Sequence, residues 1–166
     1  MRIAIAALLA IAIVPTALSA SDPAAAATEK RSVPYWASIG PGQARMRTGP
    51  ARTYPASWLY QRAGLPVQVV GVFKEWRRIR DQDGTEGWMQ GNLLRLTRTA
   101  VVTGTEPAPM RLQPAERAAI AWRAAPGVVG RISDCGHGWC RFDVKGRAGY
   151  VEVGSLWGVE ATEILP

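Results

Sequence analysis

The sequence predicts an all-β chain, two small β-barrels in tandem that follow a cleaved N-terminal signal peptide. Three observations carry that expectation. Turn-forming residues recur about every ten positions, short β-branched or aromatic runs lie between them, and the chain aligns with itself at an offset of about 63 residues.

The first element is the leader. Arg2 supplies a positive start, Ile3 to Val14 are unbroken apolar residues, and Pro15 ends the run. Ala17-Leu18-Ser19 and Ala25-Ala26-Ala27 both offer the small-x-small spacing of a cleavage site, so residues 1–27 are read as signal peptide and spacer, cut somewhere within 19–27. A membrane anchor is the rival, but the run is well short of the ~20 residues a spanning helix needs. The mature protein is therefore expected to be periplasmic or secreted, with no transmembrane segment after cleavage.

Arg2 and Asp22 cancel, so the formal charge of +7 survives that cleavage. Of the 20 basic residues only Lys30, Lys74 and Lys145 are lysine. In an exported protein such a charge favours acidic wall polymers, carboxylates and peripheral association with anionic surfaces. It is also what an arginine-rich base composition produces with no function attached.

Beyond the spacer no helical period is sustained. Gly40-Pro41-Gly42, Gly49-Pro50, Gly64-Leu65-Pro66, Asp83-Gly84 and Gly91-Asn92 punctuate the first half, and runs such as PVQVVGVF, RRIR, TAVVT and RFDV read as strands. Sliding the chain along itself brings ARMRTGP (44–50) onto APMRLQP (108–114). It also brings Trp76 onto Trp139, Arg78 onto Arg141, Ile79 onto Phe142, Gly87 onto Gly149 and Trp88 onto Tyr150. NLL then meets SLW, and the offset runs 64, 63, 62 and 63, with the slips in turns. The units span 38–96 and 99–159. The segment between them has no flexible composition and reads as a strand, which predicts a fixed mutual orientation.

Within WRRIRDQDGTEGWMQ (76–90), alternation puts Trp76, Arg78 and Arg80 on one face and Arg77 and Ile79 on the other. Ile79 is the core residue, so Trp76 and Trp139 are expected near the surface, with Met89 and Val151 pointing inward. Asp83-Gly84 and Gly146 supply hairpin turns, and Gly87 and Gly149 imply a bulge or a close backbone contact. Trp76 and Trp88 form either a ligand shelf or packing under a neighbouring loop or against the other barrel. Tyr54, Trp58 and Tyr60 cluster in TYPASWLY, whereas the second unit keeps only Trp122 there. Unit one is accordingly the expected binder.

RMRTGPARTYPASWLYQRAGLPVQVV followed by WRRIRDQDGTEGWMQGNLL resembles the bacterial SH3-like (SH3b) domain. That family's pattern is a basic N-V-R-S-G-P start, a Y-P loop and a W-x-x-[VI]…G-x-x-G-W-[VI] hairpin before a short helical turn. The second unit is similar more loosely, with Leu112-Gln113 for Thr48-Gly49 and Tyr150 for Trp88. The resemblance implies an SH3-like β-barrel of about five strands that binds cell-wall peptides or proteins and catalyses nothing. Tyr54, Trp58, Trp76 and Trp88 are the ligand-contacting positions it carries over; beside them, the charge of the rim makes Arg47, Arg52 and Arg78 the expected flanking cations.

Cys135 and Cys140 bracket GHGW, and the hairpin register brings them together on neighbouring strands. Export then predicts a disulfide between them. A structural zinc on Cys135, His137 and Cys140 lacks a fourth strong ligand, and a Cys-His nucleophile lacks an orienting third group. No metal and no cofactor are expected. Asp81, Asp83 and Glu86 are turn carboxylates, and no phosphate loop or G-x-S-x-G appears, so no enzyme is expected. Arginine interleaved with aromatics suits single-stranded nucleic acid, but export separates the protein from it. The expected partner is a peptidoglycan fragment or a peptide, and the alternative is an envelope protein docked on a scaffold.

Overall fold

The computed structural model describes residues 31–166; the expected signal peptide and spacer at 1–27 lie outside the described residues. Unit one holds β1 (Tyr35–Ile39), β2 (Ala44–Arg47), β3 (Ala56–Tyr60), β4 (Pro66–Phe73), β5 (Trp76–Arg80), β6 (Glu86–Gln90) and β7 (Leu94–Arg95). Unit two holds β8 (Thr99–Val102), β9 (Ala108–Arg111), β10 (Ile120–Ala124), β11 (Val129–Gly136), β12 (Trp139–Val144), β13 (Arg147–Glu152) and β14 (Leu156–Trp157). A short 3-10 turn, Gly91–Leu93 or Val153–Ser155, precedes each last strand.

The first antiparallel sheet has the order β3-β2-β6-β5-β4-β1-β7 and the second β10-β9-β13-β12-β11-β8-β14. Adding seven to every strand of the first gives the second, so the duplication seen in the sequence is a duplication of topology. Each ladder nevertheless keeps two ends, and β7 and β14 are only two residues long. The fully closed barrel is therefore reached only in part. The ladder also corrects one alignment: Leu94 faces Ile39 and Leu156 faces Val102, so these leucines correspond at an offset of 62.

Each unit has its own core. Met46, Val67, Val69, Ile79 and Met89 are fully buried in the first, and Met110, Cys140, Phe142 and Val151 in the second. Ile79, Met89 and Val151 thus face inward as expected. Volume is exchanged between equivalent positions, with Val67 and Ile79 in unit one matched by Gly130 and Phe142 in unit two. A Cβ placed on Gly130 would lie 2.7 Å from the Phe142 ring, so the larger ring occupies the space the missing side chain leaves.

Gly87 pairs with Ile79 without a bulge. Close approach is the reason for the glycine, because a Cβ there would lie 2.5 Å from Met46 and 2.9 Å from the Arg47 carbonyl. The Asp83-Gly84 turn is longer than a tight hairpin. Asp81 Oδ1 accepts from the N–H groups of Asp83 and Thr85, and Asp81 Oδ2 accepts from the buried Tyr60 hydroxyl at 2.8 Å. In unit two Lys145-Gly146, both with positive φ, make the tight version.

The two units pack directly on one another. Trp36 of β1 meets Trp157 of β14 edge to face at 4.8 Å and donates from Nε1 to Glu160. Arg62 donates to the Gly127 carbonyl. Gly158, with φ of 113°, leaves no room for a side chain between Pro66 and Thr99. Arg98, in the three-residue link between β7 and β8, donates to both carboxylate oxygens of Glu163 and to the Gly158 carbonyl. These contacts give residues 31–166 the character of one compact body.

Candidate ligand-binding site

The outer face of β3-β2-β6-β5 carries a polar and aromatic patch whose members follow from cross-strand pairing. Arg45 faces Leu59, Arg47 faces Trp88, Trp88 faces Arg78, and Trp76 faces Gln90. Opposed residues share a face and lie close enough to form one surface.

Trp76 departs from expectation. It sits on the outer face yet is only 3% exposed and belongs to neither core cluster. The loop between β2 and β3 folds beside it, held by a hydrogen bond from Arg47 Nη1 to the Tyr54 carbonyl at 2.7 Å. Gly49 lies under the Tyr54 ring, where a Cβ would come within 2.5 Å. Unit two replaces this pair together, with Gln113 for Gly49 and Ala118 for Tyr54. Burial under the loop is the physical reason that Trp76 is not a surface residue, and alternation alone could not reveal it.

Two cavities meet at Trp76. One, of about 330 Å³, is lined by Arg45, Arg47, Arg52, Leu59 and Gln90, with no carboxylate in its wall. The other, of about 480 Å³, adds Tyr54, Phe73, Lys74 and Glu75. Arg52, Trp76 and Gln90 border both. Among the described residues neither Arg45 nor Arg52 has an ion-pair partner. Trp88 is half-buried and meets Phe73 edge to face at 6.5 Å, and Lys74 Nζ stands 5.6 Å from the Phe73 ring centre.

Of the residues singled out from the sequence, Tyr54, Trp76 and Trp88 are brought to this side of the sheet. Trp58 is not among them. It faces Met46 on the side of Tyr60, at the edge strand, and is 57% exposed there. Arg78 reaches the outer face but is engaged by Glu86 at 2.7 Å, which Arg80 also holds at 2.6 Å. The hydrogen bond from Arg80, helped by the charge of Arg78, keeps the Glu86 carboxyl below its ordinary range. Burial, then the bond to Asp81, pushes the Tyr60 phenol upward, so it stays neutral and structural.

Sequence reasoning missed Arg45, Leu59, Phe73 and Gln90 as lining residues. Arg45 and Leu59 could have been found from alternation along β2 and β3. Phe73 and Gln90 depend on the register of β4 and β6 against Trp76, which the sequence does not print.

The equivalent place in unit two carries the opposite charge. A cavity of about 490 Å³ there is lined by Trp139, Glu116 and Glu152, the counterparts of Trp76, Arg52 and Gln90. Trp122, at the β10 edge, is instead covered by the Arg147 guanidinium at 5.1 Å. Cys135 and Cys140 are joined as a disulfide with Cα atoms 4.1 Å apart, so both sulfurs are consumed and neither is a free ligand or nucleophile. The Tyr150 hydroxyl donates to Asp134, a bond that raises its pKa.

The family model described as bacterial SH3 domain matches residues 40–95 and 104–158. No curated protein matches the chain. Among solved structures, NlpC2 from Trichomonas vaginalis shares 15% identity over 75% of this chain and 48% of its own, with a TM-score of 0.34. NlpC1 from Trichomonas vaginalis shares 15% over 78% of this chain and 48% of its own, with a TM-score of 0.33. An NlpC/P60 family protein from Bacillus cereus ATCC 10987 shares 13% over 80% of this chain and 59% of its own, with a TM-score of 0.34. The chain thus spans about half the length of the first two.

Proposed function

The chain belongs to the bacterial SH3 domain family, and from that premise we propose that it is an exported, non-catalytic binding module of the cell envelope. Unit one holds a carboxylate-bearing peptide or peptidoglycan fragment against Trp76. One observation carries this reading: three arginines and no acidic side chain line the cavity beside that indole. Guanidinium groups match carboxylates with paired, charge-assisted hydrogen bonds, and Leu59 and the aromatic wall offer apolar contact for the rest of the ligand. The Cys135–Cys140 disulfide fits an oxidising compartment outside the cytoplasm.

The test is co-sedimentation of the folded chain with purified peptidoglycan, compared with Arg52→Glu, which writes the unit-two residue into unit one. Retention of the wild type and roughly tenfold weaker retention of the variant is expected, the loss of one hydrogen bond to a charged group. A folded wild-type chain that stays in the supernatant ends this reading.

A further inference from the structure

Val72 and Cys135 hold the same place in the two units. β4 turns into β5 through Lys74-Glu75, closed by the pair Phe73 and Trp76, and Val72 then faces Arg77. β11 turns into β12 through His137-Gly138, closed by Gly136 and Trp139, and Cys135 is then bonded to Cys140. In a hairpin with a two-residue loop the closing pair exchanges its N–H and C=O groups. The next residue inward therefore turns its own groups away from the partner strand.

In unit two those outward groups are taken by the end of the chain. Cys135 N–H donates to the Leu165 carbonyl at 3.0 Å, Leu165 N–H donates back at 3.1 Å, and Asp134 N–H donates to the Pro166 carbonyl at 2.9 Å. Leu165 thus bridges to the outer side of β11 and packs on the unit-two core. In unit one nothing among the described residues does this. β1 begins at Tyr35 opposite Val69 and runs no further along β4, and Val72 and Phe73 are 46% and 48% exposed.

We propose that the Gly71–Phe73 edge of β4 is a strand-addition site for an extended, acidic peptide of a partner protein. The bridge between Leu165 and Cys135 shows what fits: a short extended segment with an aliphatic side chain in register with Val72. Main-chain bonds supply the affinity and the side chain beside Val72 the selectivity. Lys74 and Arg77 flank the edge against the single carboxylate of Glu75, which selects an acidic strand. They also oppose edge-to-edge pairing of two copies that each carry +7. Phe73 and Lys74 line the cavity that contains Tyr54 and Trp76, so the edge opens onto the groove of unit one.

The experiment titrates the ¹⁵N-labelled, oxidised chain with the acetylated peptide Thr-Glu-Ile-Leu-Pro, the sequence of residues 162–166, and follows amide shifts and exchange. The peptide is expected to protect the Val72 amide and to shift those of its neighbours, and the same peptide N-methylated at its leucine is not. Val72→Pro removes the outward N–H but no β4–β5 ladder bond, and is expected to weaken the interaction roughly tenfold with the fold retained. Arg52→Glu leaves the Val72 response in place, which separates this site from the groove. No response at Val72 with millimolar peptide, a response confined to Asp134 and Cys135, or an equal response to the N-methylated peptide overturns the proposal.

Discussion

Arg52 and Glu116 occupy the same place in the two halves of the fold, each lining a cavity beside the equivalent tryptophan, Trp76 or Trp139. Gln90 and Glu152 repeat the substitution on the other side of the ring. Duplication copied the frame, and these two exchanges, with Pro109 in place of Arg45, reversed the charge of what the frame presents.

The reversal is transferable. Glu116→Arg combined with Glu152→Gln should give unit two a cationic cavity and raise retention on anionic wall polymer, with added salt removing the gain. Both glutamates are exposed, so the melting temperature should hold within the range of ordinary surface substitutions, about 0.5 kcal/mol. Binding isotherms at two ionic strengths check both parts.

Gly130 and Phe142 are matched in volume, and their exchange should be strongly non-additive. Phe142→Ile alone leaves a void, and Gly130→Val alone forces a Cβ against the ring, each costing on the order of 1–3 kcal/mol. The double variant reproduces Val67 and Ile79 of unit one and should recover much of the loss. A double-mutant cycle by urea denaturation reads the coupling.

Reducing the Cys135–Cys140 disulfide should lower stability by about 2 kcal/mol, since the closed loop is only six residues long. Cys135→Ser with Cys140→Ser should show the same loss and lose its sensitivity to reductant. A denaturation midpoint of the wild type that ignores reductant contradicts this.

Acid should release the C-terminal segment. Burial works to raise the Glu163 pKa, but the bonds from Arg98 and the Glu160 N–H outweigh it and hold it below the ordinary 4.5. Its contribution is therefore present above that value and lost as pH falls through the lower, folded pKa. Glu163→Gln should flatten the acid limb of the stability profile measured by thermal melting.

Base should act through Tyr60. Its folded pKa lies above the ordinary 10.0, so the stabilisation is complete below pH 10 and declines as pH rises toward the folded value. Tyr60→Phe should abolish that alkaline decline while losing the bond to Asp81. Melting curves between neutral and strongly alkaline pH show whether it does.

Turn chemistry and self-alignment made much of the fold legible before any coordinates. Ile79, Met89 and Val151 could be placed inside because a strand's two-residue period leaves only two faces. Gly87 and Gly149 could be marked as close contacts because only glycine lets two backbones meet so nearly. Trp76 was legible as an outer-face residue but not as a buried one, because the loop that covers it belongs to a different part of the chain. Trp58 shows the same limit. Its face follows from Tyr60, but its distance from the groove follows from β3 being an edge strand. Arg78 looked available until Glu86 closed on it across the β5–β6 ladder.

The amino-acid sequence by itself determined the β architecture, its duplication, and the pairing of Cys135 with Cys140, because each rests on local periodicity, turn residues or near neighbours. Tertiary structure alone decided which rings are accessible, which of the described arginines lack an ion-pair partner, and that Leu165 covers one β edge whose twin no described residue covers. Those depend on contacts between residues far apart in sequence, and no local rule specifies them.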